Sequence, residues 1–208
     1  MIVRNHEADR FVAAPPKALV AALVYGPDAG LVQERAEKLA RKVVPDLTDP
    51  FNVADFNETA LLADPARLAD EVAAISMMGG RRVVRIRGAT NASAEIFQAF
   101  FSDIKGDALV VVEAGDLAKS AALRKLFEGG GHTAAVACYP DSAQDLADVV
   151  RDGMRAEGLS ITSDALEDAV SRLGSDRGVT RRELEKLALY AKGQDKVTID
   201  DVRAVMGD

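Results

Sequence analysis

The sequence predicts an α/β protein in which a mostly parallel β-sheet domain precedes a small helical domain. Up to Tyr139, short apolar runs alternate with stretches of helical periodicity, which indicates βαβ units and a sheet covered on both faces. After Tyr139 the helical period continues but the strand alternation stops. The composition, 48% hydrophobic and 28% charged over 208 residues, is typical of a folded globular chain. We therefore predict an α/β domain over residues 1–139 and a helical domain over residues 140–208.

The α/β pattern opens with a strand, a turn and a helix. Residues 20–25 form an apolar run that ends at Gly26-Pro27, which predicts a buried strand followed by a turn. Residues 30–44 then show helical spacing, with apolar side chains on one side and charged side chains mostly on the other. Pro45 is expected to end this helix, because proline disfavours a helical residue before it.

A second helix is predicted from Asp64-Pro65, because an N-cap acceptor followed by proline at the first helical position favours a helix start. This helix is expected to end at residues 77–80. Its apolar stripe comprises Leu68, Val72 and Ile75. The rest of the domain continues the alternation with a strand over residues 82–87, a helix over 93–101, a strand over 108–112, a helix over 119–128 and a strand over 134–138.

The second domain is expected to be helical, with an extended piece at residues 159–161. The predicted elements are a helix from Ser142 to Glu157, a helix over residues 164–173 capped by Ser163, a helix to residue 191 opened by a capping box at Thr180 and Glu183, and a short helix that begins at Thr198. The change of period near residue 140 sets the predicted domain boundary.

The charge and the rare residue types exclude several functional classes. Lys and Arg number 26 and Asp and Glu 33, so the formal net charge of −7 argues against a protein that mainly coats nucleic acid. The single Cys138 excludes a disulfide framework and any multi-cysteine metal site, and the two histidines are far apart. No apolar run approaches the ~18 residues of a membrane span, and the N-terminus lacks a signal peptide's apolar stretch. We expect a cytoplasmic protein with no catalytic residues, metal site, cofactor or membrane partner.

The turn after the first strand stands where a phosphate-binding loop would stand. A working loop has the pattern G-x-x-x-x-G-K-[ST], in which the lysine binds the β- and γ-phosphates and the hydroxyl binds magnesium. Counted from Gly26, the last three places hold Leu31, Val32 and Gln33. Nothing then offsets the triphosphate charge, and a carboxylate in the turn adds repulsion. The sequence predicts a degenerate, non-binding phosphate loop whose marker residues are Gly26, Asp28, Gly30 and Val32.

Other candidate chemistry is sparse. Glu113 and Asp116 follow the predicted strand over residues 108–112, at the edge where open α/β sheets often bind ligands. We interpret them as loop residues and as a cap for the next helix. Cys138 lies inside an apolar run and is expected to behave as a small buried hydrophobe. Neither histidine has a Ser or Asp partner by spacing, so no nucleophilic triad is predicted.

Met77 and Met78 form an apolar pair at the predicted end of the second helix, next to two glycines. Adjacent residues on a helix point about 100° apart, so both cannot share its buried stripe. Flexible thioether side chains suit a pocket on another protein, and an exposed apolar pair is costly unless it binds something. The pattern favours a protein-docking tip, and the alternative is that the pair packs in the core.

Arg81, Arg82, Arg85 and Arg87 form the one local basic cluster in the sequence. It coincides with the predicted strand over residues 82–87. We favour a solvated strand edge, because charged side chains usually face water. The alternative is a contact with phosphate or with an acidic partner surface.

Several segments, taken in order, resemble the delta subunit of the bacterial DNA polymerase III clamp loader, in the form found in alphaproteobacteria. The matching segments are residues 25–36 (YGPDAGLVQERA), 75–82 (ISMMGGRR), 115–120 (GDLAKS), 123–128 (LRKLFE) and 183–190 (ELEKLALY). Each segment is weak alone, but the ordered set spans nearly the whole chain.

The resemblance implies an AAA+-like fold, derived from the P-loop NTPases, that does not bind or hydrolyse ATP and carries a lid-type second domain. It implies that Ser76, Met77 and Met78, with Ile75, bind the sliding clamp through a hydrophobic helix tip and help to open the ring. The family often has Leu-Phe at the pair, so Met-Met differs in shape. The strand over residues 82–87 stands where active members carry the metal-binding Walker B acidic pair.

By the same resemblance, the expected partner is the sliding clamp (the beta subunit), with DNA approached indirectly during replication. The other loader subunits, tau/gamma and delta-prime, are expected partners if the collar domain is present. The subunit is non-catalytic in a complex classed as a DNA-directed DNA polymerase. The family's third, helical collar domain is expected to be absent, because the chain ends close to where that domain would begin. Two alternatives stay open: a divergent P-loop ATPase, and another AAA+-derived interaction subunit such as a delta-prime-like protein.

Overall fold

A computed structural model describes residues 1–76, 79–139, 142–173 and 177–206 of the chain. It divides into two compact units, Met1–Tyr139 and Pro140–Asp208. The first unit is a parallel β-sheet with helices on both faces, and the second is mostly helical. The predicted α/β fold class is therefore confirmed. None of the described helices is long and apolar enough to cross a membrane.

Within the described residues, the sheet of the first unit has six strands, and all neighbouring strands in it are parallel. The strands are β1 (Ile2–Val3), β2 (Ala21–Tyr25), β3 (Val53–Asn57), β4 (Val83–Ala89), β5 (Leu109–Ala114) and β6 (Thr133–Ala137). Their order across the sheet is β1-β6-β2-β5-β4-β3. Because all strands run the same way, the loops that lead into them lie along one amino-terminal edge. The loops that follow them lie along the opposite, carboxyl-terminal edge.

Helices cover both faces of this sheet. They are α1 (Asn5–Ala13), α2 (Ala29–Arg41), α3 (Glu58–Ala63), α4 (Arg67–Ala73), α5 (Ala94–Ser102) and α6 (Ala122–Gly129). Successive strand side chains enter two separate cores: Leu23 of β2 packs in a cluster with residues of α3 to α6, and Val24 packs in a cluster with residues of α1 and α2. Strands β2 and β5 are buried along their whole length, which explains their unbroken apolar runs.

The sequence pattern does not predict β1, α1, β3 or α3. Strand β1 has two residues, too few for a periodic signal. Strand β3 lies at the edge of the sheet and mixes buried with exposed side chains, so it lacks the apolar run of the central strands. Helix α3 has six residues and is started by Asn57, whose Oδ1 accepts from the N–H of Ala60 at 2.9 Å. Short elements of this kind are defined by the elements that surround them.

The helix predicted from Asp64-Pro65 is shorter than expected at its start. Helix α4 begins at Arg67 instead. Asp64 ends α3, and its carbonyl oxygen accepts from the N–H of Arg67 at 3.2 Å in the turn between the two helices. The Asp-Pro pair therefore belongs to a connecting turn rather than to an N-cap.

Helix α4 also ends earlier than predicted, at Ala73. The Nη1 of Arg82 donates to the carbonyl oxygen of Glu71 at 2.7 Å, which is the acceptor that the N–H of residue 75 would use in a longer helix. Ile75 and Ser76 consequently lie beyond the helix, in the segment that leads into β4.

The second unit packs its helices around one core. The helices are α7 (Ala143–Ala156), α8 (Ser163–Arg172), α9 (Arg177–Tyr190) and α10 (Ile199–Val205), and the parallel strands are β7 (Ser160–Ile161) and β8 (Lys196–Val197). The extended piece predicted at residues 159–161 is confirmed as β7. The core includes Val150, Met154, Leu187 and Val202.

Capping boxes start two helices of this unit where the sequence predicts them. Ser142 and Asp145 cap α7 reciprocally, and Thr198 and Asp201 do the same for α10. Each box satisfies N–H groups that have no partner inside the helix.

Two other predicted starts in this unit are wrong. Thr162, rather than Ser163, caps α8 by accepting from the N–H of Ala165 at 3.3 Å, because adjacent hydroxyl residues offer two candidate caps and the structure uses the first. Thr180 lies inside α9, which begins at Arg177. Residues three apart share a helix face, so a Thr-x-x-Glu pattern also occurs within helices.

We expect the capping box of α10 to make the stability of this unit sensitive to acid. Hydrogen bonds from the N–H and the hydroxyl of Thr198, at 2.8 and 2.7 Å, lower the pKa of Asp201 from its ordinary 3.8. Because the folded-state pKa is the lower one, the contribution is present above pH 3.8 and is lost as the pH falls through the folded-state pKa. Asp201→Ala should lower the free energy of unfolding by about 1 kcal/mol near neutral pH.

The measurement is urea denaturation of the protein and of Asp201→Ala at a series of pH values. The difference between them should shrink as the pH falls below 3.8. Asp200→Ala, at an exposed neighbouring carboxylate, is the matched control and should behave like the unchanged protein. A deficit for Asp201→Ala that is the same at every pH would contradict the assignment.

Candidate functional site

The amino-terminal edge of the sheet displays most of the large apolar side chains that the first unit exposes. These are Met1 and Ile2 at the start of β1, Phe51 before β3, Ile75 before β4 and Ile104 before β5. Among the exposed large apolar side chains described in this unit, Leu62 on α3 is the one that lies elsewhere. A contiguous apolar patch marks a docking surface, and Phe51 and Ile75 precede the neighbouring strands β3 and β4 at this edge.

Ile75 is the most exposed of these side chains, with a relative exposure of 92%. The prediction that it shares the buried stripe of α4 with Leu68 and Val72 is wrong, although those two residues are buried. Helix α4 ends at Ala73, so the chain leaves the helix before Ile75. An isoleucine this exposed adds almost nothing to the stability of the fold, and its apolar surface is available for contact with another molecule.

Ser76 anchors the segment that follows Ile75. It is buried, and its Oγ donates to the carbonyl oxygen of Gly79 at 3.0 Å. The N–H of Gly79 donates back to the carbonyl oxygen of Ser76 at 3.2 Å. Gly79 and Gly80 have φ of 77° and 89°, values that residues with a Cβ rarely adopt. Ile75 therefore precedes a buried serine that is hydrogen-bonded to Gly79 through its hydroxyl and its carbonyl oxygen.

The predicted docking pair, Met77 and Met78, lies outside the described residues. Its role stays a prediction from the sequence.

Arg82 joins this segment to the rest of the edge. Arg82 is buried. Its Nη1 donates to the carbonyl oxygen of Glu71 at 2.7 Å, and its Nη2 donates to the carboxylate of the same residue at 3.0 Å. Its Nε donates to the carbonyl oxygen of Phe51 at 3.1 Å. The prediction that Arg82 is solvated is therefore wrong. Its donors hold the end of α4 and the loop that carries Phe51 together.

Arg81 connects two further loops of the same edge. Its guanidinium donates to the carbonyl oxygen of Leu19, before β2, and to that of Asp107, before β5. Burial lowers the pKa of Arg81 from its ordinary value, and the nearby Asp107 opposes that change. Arg81 is thus partly buried and partly available at the surface.

Arg85 and Arg87 belong to a charge network that spans the sheet. The Nη2 of Arg85 lies 3.0 Å from Oε1 of Glu113 on β5 and 3.9 Å from Oε1 of Glu37 on α2, and its Nη1 lies 3.6 Å from Oδ2 of Asp55 on β3. The Nε of Arg87 lies 2.8 Å from Oδ1 of Asp55. Arg87 is exposed as predicted, but Arg85 is buried, because β4 is an interior strand rather than an edge.

Glu113 corrects another expectation, since it lies inside β5 and is not a loop residue. Burial raises the pKa of Glu113, and the hydrogen bond from Arg85 opposes that change. Arg85 of β4 and Glu113 of β5 therefore form an ion pair between neighbouring strands. In the described parts of the chain, no group of three or more His, Cys, Asp or Glu side chains could hold a metal ion.

The phosphate-loop turn is closed by backbone contacts at the carboxyl-terminal edge. Gly26 approaches β6 so closely that a Cβ at this position would lie 1.9 Å from the carbonyl oxygen of Cys138. Its own N–H donates to the carbonyl oxygen of Gly115 at 3.2 Å. The Gly26 amide is therefore engaged within the protein.

The start of α2 is engaged as well. Asp28 is its N-cap, and its Oδ1 accepts from the N–H of Leu31 at 3.0 Å. A carboxylate thus stands where a phosphate oxygen would bind the helix start. Val32, at the place of the phosphate-binding lysine, is buried in the core against Ala36 and Leu39. Gly30 is exposed in the first turn of the helix.

Sequence reasoning missed the role of Arg35 on α2, which is almost fully buried at 1% exposure. Its Nη1 donates to Oδ1 of Asn5 at 2.9 Å and to the carbonyl oxygen of Ala137 at 2.8 Å, and its Nε lies 3.2 Å from Oδ1 of Asp9. It ties α1 to the end of β6. The available signal was an arginine on the apolar side of the helix. Cys138, also in contact with Arg35, is buried as predicted, and burial raises the pKa of its thiol.

Asp116 likewise has a different partner from the one predicted. It does not cap the next helix, which begins at Ala122, but accepts from the hydroxyl of Tyr139 at 2.7 Å. Burial, with that hydrogen bond to the carboxylate, raises the pKa of Tyr139 to about 12. The pair fixes the last residue of the first unit against the loop after β5.

The structure thus separates the described site residues into two groups, apart from Arg85 and Arg87 in the charge network across the sheet. Ile75, Ser76, Arg81 and Arg82 come together at the amino-terminal edge. The phosphate-loop residues lie at the carboxyl-terminal edge, where internal groups occupy the amides of Gly26 and Leu31.

Comparison with known proteins supplies independent information on the fold. No protein-family model matches the chain. The "Probable DNA polymerase III subunit delta" of Rickettsia prowazekii (strain Madrid E) is 21% identical over 187 residues, covering 89% of this chain and 55% of that protein. The solved "Bacillus subtilis DNA clamp loader delta protein (YqeN)" is 20% identical, with a TM-score of 0.65, covering 96% of this chain and 61% of that chain. The Thermotoga maritima RuvB Holliday junction branch migration motor is 15% identical, with a TM-score of 0.40, covering 96% of this chain and 64% of that one.

The curated relative and the Bacillus structure are both described as delta proteins, so the resemblance noted in the sequence segments is confirmed. The Bacillus structure shows that the fold is shared, which agrees with the predicted α/β fold class. The chain spans 55% of the length of the curated relative and 61% of the solved one.

Proposed function

We propose that this chain acts as the delta subunit of a DNA polymerase III clamp loader. It binds the sliding clamp through an apolar tip, defined as Ile75, Met77 and Met78, and helps to open the ring for loading on DNA during replication. The observation that carries the proposal is the exposure of Ile75 beside the methionine pair, in a chain similar to a probable delta subunit. Domain 1–139 carries the tip, and domain 140–208 is the lid-type domain.

The apolar tip supplies enough free energy for specific binding. At ~25 cal/mol per Å², two methionine side chains that lose about 200–250 Å² of accessible surface contribute about 5–6 kcal/mol before the costs of association. Burying the isoleucine adds about 1.5–3 kcal/mol. Binding alone does not open a ring, because a ligand shifts an equilibrium only by its differential affinity. The tip must therefore bind the open clamp more tightly than the closed one.

In this proposal the chain has no ATPase activity of its own. The Asp28 carboxylate on the α2 amide, the buried Val32 and the Arg85–Glu113 pair support a phosphate loop that no longer takes a nucleotide. The tau/gamma subunits, joined by delta-prime through the collar domain of the family, would supply the ATP-driven control. The proposed location is the cytoplasm, and DNA is approached through the clamp.

We expect no saturable, magnesium-dependent binding of the fluorescent analogue mant-ATP. The reason is that Asp28 already satisfies the N–H of Leu31 and no ammonium stands at Val32. A fluorescence titration with and without magnesium measures this, with an active P-loop ATPase titrated in parallel. Saturable binding that requires magnesium would contradict the proposal and favour the divergent P-loop ATPase. The third alternative, a delta-prime-like subunit, is disfavoured because that subunit usually carries zinc-binding cysteines and this sequence has one cysteine.

A further inference from the structure

A cleft of about 300 Å³ lies at the amino-terminal edge of the sheet, separate from the apolar tip. Its apolar lining comes from Leu19, Val43 and Leu109, and its basic lining comes from Lys17, Lys42 and Arg81. None of the lining residues is acidic. The cleft therefore combines an apolar floor with three cationic groups in a chain whose formal net charge is −7.

The two lysines of the cleft are not neutralised internally. Lys17 and Lys42 are exposed, and neither forms an ion pair with any described residue. Arg81 is held by the carbonyl oxygens of Leu19 and Asp107, and the Asp107 carboxylate is the acid that acts on it. Like charges that line one cleft repel each other, and an anionic occupant would remove that cost.

The cleft shares one residue with the segment that carries the tip. Arg81 follows Gly80 directly and forms part of the cleft wall, and Ser76, the residue after Ile75, donates to the carbonyl oxygen of Gly79. In addition, the loop before β5 packs on the end of α4: a Cβ at Gly106 would lie 2.1 Å from the carbonyl oxygen of Val72. Ile75 and Arg81 of the cleft are six positions apart in the segment that leads from α4 to β4.

We propose that this basic cleft receives an acidic segment of the same clamp, next to the clamp pocket that takes the apolar tip. The proposal rests on the proposed function and adds a second, electrostatic contact to it. A carboxylate would lie between Lys17, Lys42 and Arg81, and an adjacent apolar side chain would pack against Pro16 and Val43, which keep apolar surface exposed in the lining. The contact raises the association rate and fixes the orientation of the clamp on the tip.

The shape of the cleft favours a protein segment over a nucleic-acid backbone. A phosphate backbone needs cations spread over an exposed surface and gains nothing from an apolar floor. Here Leu19 and Leu109 are buried at the base, and Arg81 is restrained by two backbone carbonyls. An acidic peptide segment with an apolar residue fits both parts of the lining.

The test is the affinity of the whole chain for its cognate clamp, measured by surface plasmon resonance at low and at high salt. The double variant Lys17→Glu and Lys42→Glu should weaken binding at least ~10-fold at low salt, mainly through the association rate, and the difference should shrink at high salt. The control is Lys119→Glu with Lys125→Glu, two exposed lysines after β5 and on α6 that carry the same charge change away from the cleft. The control should bind like the unchanged protein.

Three outcomes overturn the inference. Equal binding by the double variant and the unchanged protein would show that the cleft does not contact the clamp. If Ile75→Ser still weakened clamp binding, the proposed function would stand without the cleft. An equal loss for the control variant would show a general charge effect only. The third outcome comes from fluorescence anisotropy with a labelled DNA duplex. If the Lys17→Glu and Lys42→Glu variant lost DNA binding but kept clamp binding unchanged, the cleft would be assigned to nucleic acid instead.

Discussion

Replacing Ile75, Met77 and Met78 together with serine is expected to weaken binding to the cognate sliding clamp at least ~100-fold, because residues at the centre of an interface carry most of its free energy. Ile75→Ser alone should weaken it ~10-fold or more, which follows from the ~1.5–3 kcal/mol that burial of one isoleucine supplies. The melting temperature should not fall for Ile75→Ser, because this side chain makes almost no contact in the free protein. Surface plasmon resonance and thermal denaturation measure the two quantities.

The matched control for this experiment is Leu62→Ser. Leu62 is an exposed leucine on α3 and lies away from the amino-terminal edge. It should leave clamp affinity unchanged, which separates the position of the apolar group from general hydrophobicity. If the triple variant bound the clamp with the affinity of the unchanged protein, this result would contradict the proposed function and, with it, the inference about the basic cleft.

Gly26→Ala is expected to destabilise the first unit by about 3 kcal/mol or more, since the new methyl group overlaps a backbone atom and the backbone must move to admit it. The added Cβ would lie 1.9 Å from the carbonyl oxygen of Cys138 and 2.6 Å from its carbonyl carbon. The N–H of Cys138 donates to the carbonyl oxygen of Tyr25 at 2.8 Å, so the same shift strains the end of β2. Guanidinium denaturation followed by circular dichroism gives the free energy of unfolding.

Gly129→Ala provides the comparison for this substitution. A Cβ at Gly129 would meet nothing within 4 Å, and the residue ends helix α6, where alanine is the better helix former. This variant should be as stable as the unchanged protein or slightly more so. If Gly26→Ala were equally well tolerated, the close packing of the phosphate-loop turn against β6 would be wrong.

The two edges of the sheet have opposite characters, and the division follows from parallel strands. At the carboxyl-terminal edge, Asp28 caps α2 and Arg35 ties α1 to the end of β6, so this edge contributes to the stability of the fold. At the amino-terminal edge, Ile75 and Phe51 are exposed and add little to stability. The proposed docking function therefore uses exposed apolar side chains that contribute little to the stability of the fold.

Much of the fold could be predicted from the sequence because burial leaves a local trace. Strands β2 and β5 are buried on both faces, so they read as unbroken apolar runs, and α2 has the 3.6-residue period of a helix with one buried side. The helix starts predicted at Ser142 and Thr198 also have a local cause, since the capping box found at each needs only two residues three positions apart. The sequence alone also shows that Val32 and Gln33 stand where the phosphate-loop pattern has a lysine and a hydroxyl residue.

The positions that the sequence did not predict are those that distant residues define. The end of α4, and with it the exposure of Ile75, depends on Arg82, which takes the carbonyl oxygen of Glu71. Arg85 is buried because Asp55 and Glu113, each about thirty positions away, pair with it across three strands. A charge can leave water only where the fold supplies its partners. Periodicity and composition therefore determine which segments are helices and strands, whereas the tertiary structure alone decides which arginines are internal and which apolar side chain is presented to a partner.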